Sequence, residues 1–276
     1  MVLNIDDQTA LLDELESYTN GRLSKEPQIF SANDLNNNLI RNRSSLPLYY
    51  QQPFSRLGPL PRFSAIIGIC DDGLPLLFDL SNPTAGSILI LGSASTGKIQ
   101  LLQSILHSVA LLNPPSDVNY YVISPEPDRY YEIANDDHCS GIFSSYERSS
   151  RDIVIELTAL AEQRKTGRHT GTVVILAIDN LYAFLKNNEF EIDIHLKWLV
   201  QYGPNNGVWC VSTLQAHLLD QVNREMLLGY KTRLIAQSPS LALTSGLDRL
   251  PHSIRSGSFS TQVGNQSISF NIPIFD

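Results

Sequence analysis

Short apolar segments that alternate with helix-period segments predict an α/β protein, three layers deep, around a mostly parallel sheet. Three observations carry that prediction. Residues 87–91 (S-I-L-I-L) and 172–178 (T-V-V-I-L-A-I) are almost wholly apolar and of strand length, as strands buried on both faces must be. Residues 98–112 repeat apolar side chains at Ile99, Leu102, Ile105, Leu106 and Val109, the spacing of one helical face. A glycine-bearing turn, 92–97, joins the first strand to that helix.

The elements follow in order from residue 63. Residues 64–70 and 74–80 read as two strands around Asp71-Asp72-Gly73, a hairpin turn signal. The strand at 87–91 and the helix at 98–112 come next, and Pro114-Pro115 stops the helix. Residues 118–123 form another apolar strand. Residues 149–165 are helical through Ile153, Leu157, Leu160 and Ala161. After the strand at 172–178, residues 181–185 and 192–200 read as helices. Ile192, Ile194 and Leu196 alternate, which keeps a strand open for the second. Residues 207–213 and 232–236 are strands. Residues 258–263 and 267–272, around Gly264-Asn265, form a terminal hairpin.

The first 45 residues differ in character. Residues 10–18 can form a short helix through Leu11, Leu12 and Leu15. Asn36, Asn37 and Asn38 follow, then Pro47, Pro53, Pro59 and Pro61. The expected organisation is a partly helical N-terminal extension over 1–45 and one domain over 46–276, with the boundary near Leu46.

Composition bounds the function. Apolar residues make up 42% of the 276 and charged residues 17%, an ordinary globular balance. A net charge of −8 argues against a broad nucleic-acid-gripping face. The stretch 1–20 is acidic and polar, unlike a signal peptide, and no apolar run approaches the ~20 residues that span a bilayer. The expectation is a cytoplasmic protein with no direct membrane insertion. Cys70, Cys139 and Cys210 are too far apart for a metal motif or a disulfide framework. His107 and His195 sit on helical patterns, where structural roles are the commoner ones.

The sharpest motif is Gly92-Ser93-Ala94-Ser95-Thr96-Gly97-Lys98-Ile99, which matches G-x-x-x-x-G-K and fails at the closing Ser/Thr. Glycines let successive backbone N–H groups turn inward around phosphate oxygens. The positive end of the following helix adds to the attraction, and Lys98 reaches the β- and γ-phosphates. The alternative is a plain strand-to-helix turn with a surface lysine. Ile99 has no hydroxyl to offer Mg²⁺. The strand at 172–178 ends in Asp179-Asn180, where nucleotide hydrolases keep the carboxylate that holds Mg²⁺. Either residue can instead cap the next helix. Gln215, at the end of the strand at 207–213, can sense a γ-phosphate or be an ordinary loop residue.

In this order the segments resemble the motor domain of the FtsK/SpoIIIE family, within the HerA–FtsK group of P-loop ATPases. The resemblance rests on Gly73-Leu-Pro-Leu-Leu-Phe-Asp-Leu80, the loop of 87–99 and the helix of 101–114. It continues through Ile123-Ser124-Pro125-Glu126, where the family has Ile-Asp-Pro-Lys, and Leu160–Arg164, which is similar to Glu-Met-x-x-Arg. It takes in the strands of 173–180 and 207–215, and Thr232-Arg233. Residues 257–275 are similar to the terminal part of EccC-type secretion ATPase domains, several of which are degenerate.

The resemblance implies a RecA/FtsK-like P-loop NTPase fold that binds ATP. It implies Mg²⁺ at Asp179, catalytic positions at Asp179, Asn180 and Gln215, and assembly as a homo-oligomeric ring or within a larger motor acting on DNA or a protein cargo. A neighbouring subunit would supply an arginine, unassigned among Arg148, Arg151, Arg224 and Arg233. Ile99 for Ser/Thr, Asn180 for Glu, Ser124 and Glu126 for Asp and Lys, and Ala216-His217 for Arg-Pro depart from the family. The expected function is therefore ATP binding with weak or absent hydrolysis at a weakened Mg²⁺ site. The alternatives are an active DNA translocase or secretion motor, and a protein-binding scaffold without nucleotide.

Overall fold

The computed structural model describes residues 60–167, 171–188, 190–237, 257–264 and 266–272. The extension over 1–45, its expected helix at 10–18 and the boundary near Leu46 lie outside them. Among the described residues ten strands form one sheet. In chain order they are β1 (Ser64–Cys70), β2 (Pro75–Asp79), β3 (Ile88–Gly92), β4 (Val118–Ser124), β5 (Cys139–Ser144), β6 (Val173–Ile178), β7 (Val208–Gln215), β8 (Thr232–Ala236), β9 (Ser258–Val263) and β10 (Gln266–Asn271). The helices are α1 (Lys98–Leu112), α2 (Arg148–Lys165), α3 (Leu181–Lys186), α4 (Phe190–Tyr202) and α5 (Arg224–Gly229).

Across the sheet the order is β2-β1-β10-β9-β8-β3-β7-β6-β4-β5. The run from β8 to β5 is parallel. The remaining strands pair antiparallel. Because side chains alternate along a strand, β3 sends Ile88 and Ile90 to one apolar cluster and Leu89 and Leu91 to another. The first cluster takes Leu101, Leu102, Ile105, Leu106 and Val109 of α1. The second takes Ile153 and Leu157 of α2, Phe184 of α3, Leu196 and Leu199 of α4 and Met226 of α5. Helices thus cover both faces, and each fully buried Leu or Ile contributes about 1.5–3 kcal/mol.

The β1–β2 hairpin turns as expected. Cys70 N donates to Leu74 O at 2.8 Å, Leu74 N donates to Asp72 Oδ1 at 2.9 Å, and Gly73 adopts φ 81°, a conformation that favours glycine. The alternation at 192–200 resolves as helix. Ile192, Leu196, Leu199 and Val200 are buried at helical spacing, while Ile194 is left exposed. Strand β5 was not expected from the sequence. It is a half-buried edge strand of mixed composition, with neither an apolar run nor a clean alternation to mark it. The terminal hairpin forms, and it lies inside the sheet: β9 pairs with β8, and β10 with β1.

Arg164, in the stretch that resembles Glu-Met-x-x-Arg, is structural. It donates to the carbonyls of Asn206 and Gly207 at 3.1 Å each and of Thr172 at 2.7 Å, tying α2 to the starts of β6 and β7. His195 is buried in α4, and desolvation holds its pKa below the ordinary value. All three cysteines are free thiols. Among the described residues no helix is long and apolar enough to cross a membrane.

Candidate functional site

The site lies at the carboxyl ends of β3, β4, β6 and β7, where open parallel sheets collect their ligands. Strand β3 ends at Gly92, and α1 begins at Lys98. A Cβ on Gly92 would lie 2.3 Å from Thr96 Oγ1 and 2.8 Å from Ala236 Cβ, so only glycine lets the loop fold back this tightly. Gly97 at φ 94° ends the loop, and Ser95 also takes φ 60°. No side chain caps the start of α1, which leaves its first-turn N–H groups directed along the helix axis into the loop. Thr96 Oγ1 and Lys98 Nζ both donate to Ser93 O, at 2.9 and 2.6 Å, drawing the loop around its own interior. Burial lowers the Lys98 pKa, and the nearby Asp179 carboxylate pulls it the other way.

Asp179 is 4% exposed at the end of β6. Its Oδ1 accepts from Thr213 Oγ1 at 2.9 Å, and its Oδ2 accepts from Ser124 Oγ at 3.2 Å. Strand β7, inserted between β3 and β6, thus carries the hydroxyl that braces the carboxylate. Burial pushes the Asp179 carboxyl above its ordinary value. The Thr213, Ser124 and Tyr130 hydroxyls and the charge of Arg129 oppose that shift. Tyr130 is fully buried, its hydroxyl against the carboxylate but outside normal hydrogen-bond geometry.

Asn180 adopts φ 60° and caps α3, its Oδ1 accepting from Ala183 N at 3.2 Å. Its N–H donates to Thr213 Oγ1 at 2.8 Å. Of the two capping alternatives, Asn180 is the cap and Asp179 is not. Gln215 pairs in register with Gly92, which sets it beside the first residue of the loop. Ile99 is partly buried and packs against the apolar cluster under α1. Loop, Lys98, Asp179, Asn180 and Gln215 are therefore brought to one edge, and Ile99 does not plug the bend.

Mg²⁺ requires oxygen ligands in near-octahedral array. Ile99 presents none, which leaves Asp179, each of whose oxygens accepts one protein hydroxyl and keeps a further lone pair, as the carboxylate that would hold the ion at a weakened site. Among the described residues no cluster of three or more His, Cys, Asp or Glu could hold a metal.

Thr213, Arg129 and Tyr130 escaped the sequence reading, and Ser124 entered it only as a departure. A hydroxyl residue near the end of an apolar strand, as in Val211-Ser-Thr-Leu-Gln215, was the signal available for Thr213. A further contact comes from the terminal hairpin: Gly257 N donates to Thr96 O at 3.2 Å, and Ile272 N donates to Gly257 O at 3.0 Å.

A comparison with models of known protein families finds no match. Among curated proteins, the ESX-5 secretion system protein EccC5 of Mycobacterium tuberculosis is 29% identical over 178 residues, 53% of this chain. The match is 13% of that relative's length, so the chain corresponds to a small part of it. Among solved structures, Thermomonospora curvata EccC (ATPases 2 and 3) in complex with a signal sequence peptide has a TM-score of 0.62 at 17% identity, covering 81% of this chain and 43% of that one. The pCW3 conjugation coupling protein TcpA, solved as a monomer with ATPγS, has a TM-score of 0.61 at 15% identity, covering 98% and 82%. At these identities the solved structures speak for the fold.

Proposed function

We propose that this chain is an FtsK/SpoIIIE-type P-loop ATPase domain related to those of EccC, which binds ATP at residues 92–99 and hydrolyses it weakly or not at all. The observation that carries the reading is the loop itself: Gly92 and Gly97 fold the backbone tightly between β3 and the uncapped start of α1, with Lys98 at its close. In it the backbone of Gly92, Ser93, Ala94, Ser95, Thr96 and Gly97 wraps the phosphates. Lys98 neutralises them, and Gln215 faces the γ-phosphate.

Two losses separate binding from turnover. Ile99 withholds the hydroxyl that orients Mg²⁺, which leaves a weakened site at Asp179. Asn180 stands where a glutamate would orient the attacking water, and its side chain is engaged in capping. Positioned groups of this kind are each worth about 10²–10³ or more in rate.

Relatives named as secretion proteins, and one solved with a signal sequence peptide, favour a protein cargo over DNA. The chain then works on the cytoplasmic side, as one module of a larger motor or of a ring of its own copies. Calorimetric titration with ATP, with and without Mg²⁺, followed by a turnover assay, tests the reading. Heat of binding that Lys98→Ala abolishes, with turnover near background, is expected. A second reading, an active motor, draws on Lys98, Asp179 and Gln215 all standing in place. Strong turnover abolished by Lys98→Ala selects it. Neither heat nor a rise in melting temperature with ATP leaves only a scaffold, since a ligand of the folded state must stabilise it.

A further inference from the structure

We propose that Gly257 and Ile272, at the mouth of the terminal hairpin, are positioning residues for the phosphate loop, so that hairpin and nucleotide act on each other through residues 96–97. The inference rests on the ATP-binding reading above.

Its ground is a chain of backbone hydrogen bonds. Ser258 and Asn271 pair in register where β9 and β10 meet, and Ser258 Oγ donates to Asn271 Oδ1 at 2.6 Å. Gly257 and Ile272 stand just outside that pair. Ile272 N donates to Gly257 O at 3.0 Å, and Gly257 N donates to Thr96 O at 3.2 Å. Gly257 is thus held from both sides, its carbonyl by the end of β10 and its N–H by the loop. Its φ of 93° favours glycine, and a Cβ there would lie 3.1 Å from Ile272 Cγ1. The Ile272 side chain completes the contact: a Cβ on Gly97 would lie 3.3 Å from Ile272 Cδ1 and 3.3 Å from Gly257 Cα. The hairpin mouth therefore covers one face of Gly97.

In a trans peptide the carbonyl and the N–H point opposite ways in one rigid plane. With Thr96 O fixed on the hairpin, the Gly97 N–H is turned away from it, to the side on which the loop wraps phosphate. A donor aimed in advance costs no ordering when the ligand arrives. Contacts within the loop cannot hold this aim. Lys98 Nζ donates to Ser93 O, and it must leave that oxygen to reach a phosphate. The bond from Gly257 N lies outside the cradle, where no ligand competes for it. The other end of the loop leans on the same hairpin. A Cβ on Gly92 would lie 2.8 Å from Ala236 Cβ, and Ala236 pairs in register with Phe259 of β9. Next to it, Gln237 Nε2 donates to Ser269 Oγ of β10 at 2.8 Å.

The test is calorimetric titration of the full chain with ATP and with inorganic tripolyphosphate, beside thermal melts and hydrogen exchange. Ile272→Ala is expected to lower affinity for both ligands about tenfold, an ordinary size for coupled sites. Gly257→Ala, strained at φ 93°, is expected to do the same. Ile272→Leu keeps a terminal methyl for Gly97 and should bind within about threefold of wild type. Leu76→Ala is the control. It trims a partly buried side chain of the same apolar cluster on β2, at the far edge of the sheet, so it should melt lower with ligand affinity unchanged. By reciprocity, ATP should slow exchange at the Gly257 and Ile272 N–H groups of the wild type and leave Gly73 N–H as it was. Both variants binding ATP within about twofold of wild type overturns the proposal and leaves the ATP-binding reading intact. So does affinity confined to ATP, or a loss confined to ATP, either of which makes the base the point of contact. Exchange unchanged at both N–H groups overturns it as well, whether or not the variants fold. Wild-type protein that binds neither ligand overturns proposal and reading together.

Discussion

Thr213→Val removes one oxygen and nearly preserves shape, so its cost can be worked from the contacts. Thr213 is 2% exposed. Its Oγ1 accepts from Asn180 N at 2.8 Å and donates to Asp179 Oδ1 at 2.9 Å. Valine leaves the Asn180 N–H without that partner, worth about 1–3 kcal/mol, and strips a donor from a carboxylate, worth about 1.5–3 kcal/mol. Local relaxation recovers part, so the net loss is about 3 kcal/mol. For a domain of this size that is about 6–12 °C of melting temperature. Thermal melts and urea titrations at pH 7.5 measure it, with Thr213→Ser, which keeps the hydroxyl, as the control. The defect also has a pH signature. Burial already raises the Asp179 pKa, so the fold is penalised for carrying the ionised form. That penalty appears as pH climbs through the raised value and vanishes below the unfolded one. Losing a donor enlarges it, so the gap between variant and wild type should narrow in acid. A melt within about 2 °C of wild type at pH 7.5 would show that the Thr213 bridge carries no weight.

Three shorter predictions accompany it. Asn180→Glu restores a family-type side chain at φ 60°, where a residue other than Gly or Asn costs about 1–2 kcal/mol, and it gives up a cap worth about 1 kcal/mol. Melting temperature should fall in a thermal scan, and a phosphate-release assay should show turnover no higher than wild type. Gly92→Ala drives a methyl to 2.3 Å from Thr96 Oγ1, so the ATP-induced rise in melting temperature should disappear. Desolvation holds the His195 pKa below its ordinary 6.5, so its stabilising contribution is complete above that value and is lost as pH falls from there through the lowered folded value. Melting temperature should drop as pH falls below about 6.5, and drop less in His195→Gln.

Where physics made residues choose one environment, the sequence could be read directly. Strands β3 and β6 are buried on both faces, and their apolar runs say so. The loop could be read because tight backbone turning needs glycine at Gly92 and Gly97 whatever the surroundings. Helix α4 was ambiguous because Ile194 is an exposed isoleucine that mimics a strand's alternation. Strand β5 was silent because an edge strand can be half buried and of mixed composition. Thr213 and Tyr130 come to Asp179 from distant parts of the chain, and such meetings depend on strand order, which no local pattern encodes. Asn180 read two ways from the sequence, and its left-handed backbone decides for the cap.

The placement of the terminal hairpin constrains how the chain comes together in time. Ile69 finds its partner in Asn271, so the open edge of β1 stays bare until β10, far along the chain, has been made. Strand β8 waits likewise for β9. Two unfilled edges on a nascent chain invite pairing with neighbours, and closing so long a loop is slow. A copy cut short ahead of Ser258 would keep the whole phosphate-facing edge in its sequence and still expose both seams, which makes premature termination a more damaging event here than loss of an equal length from a surface loop.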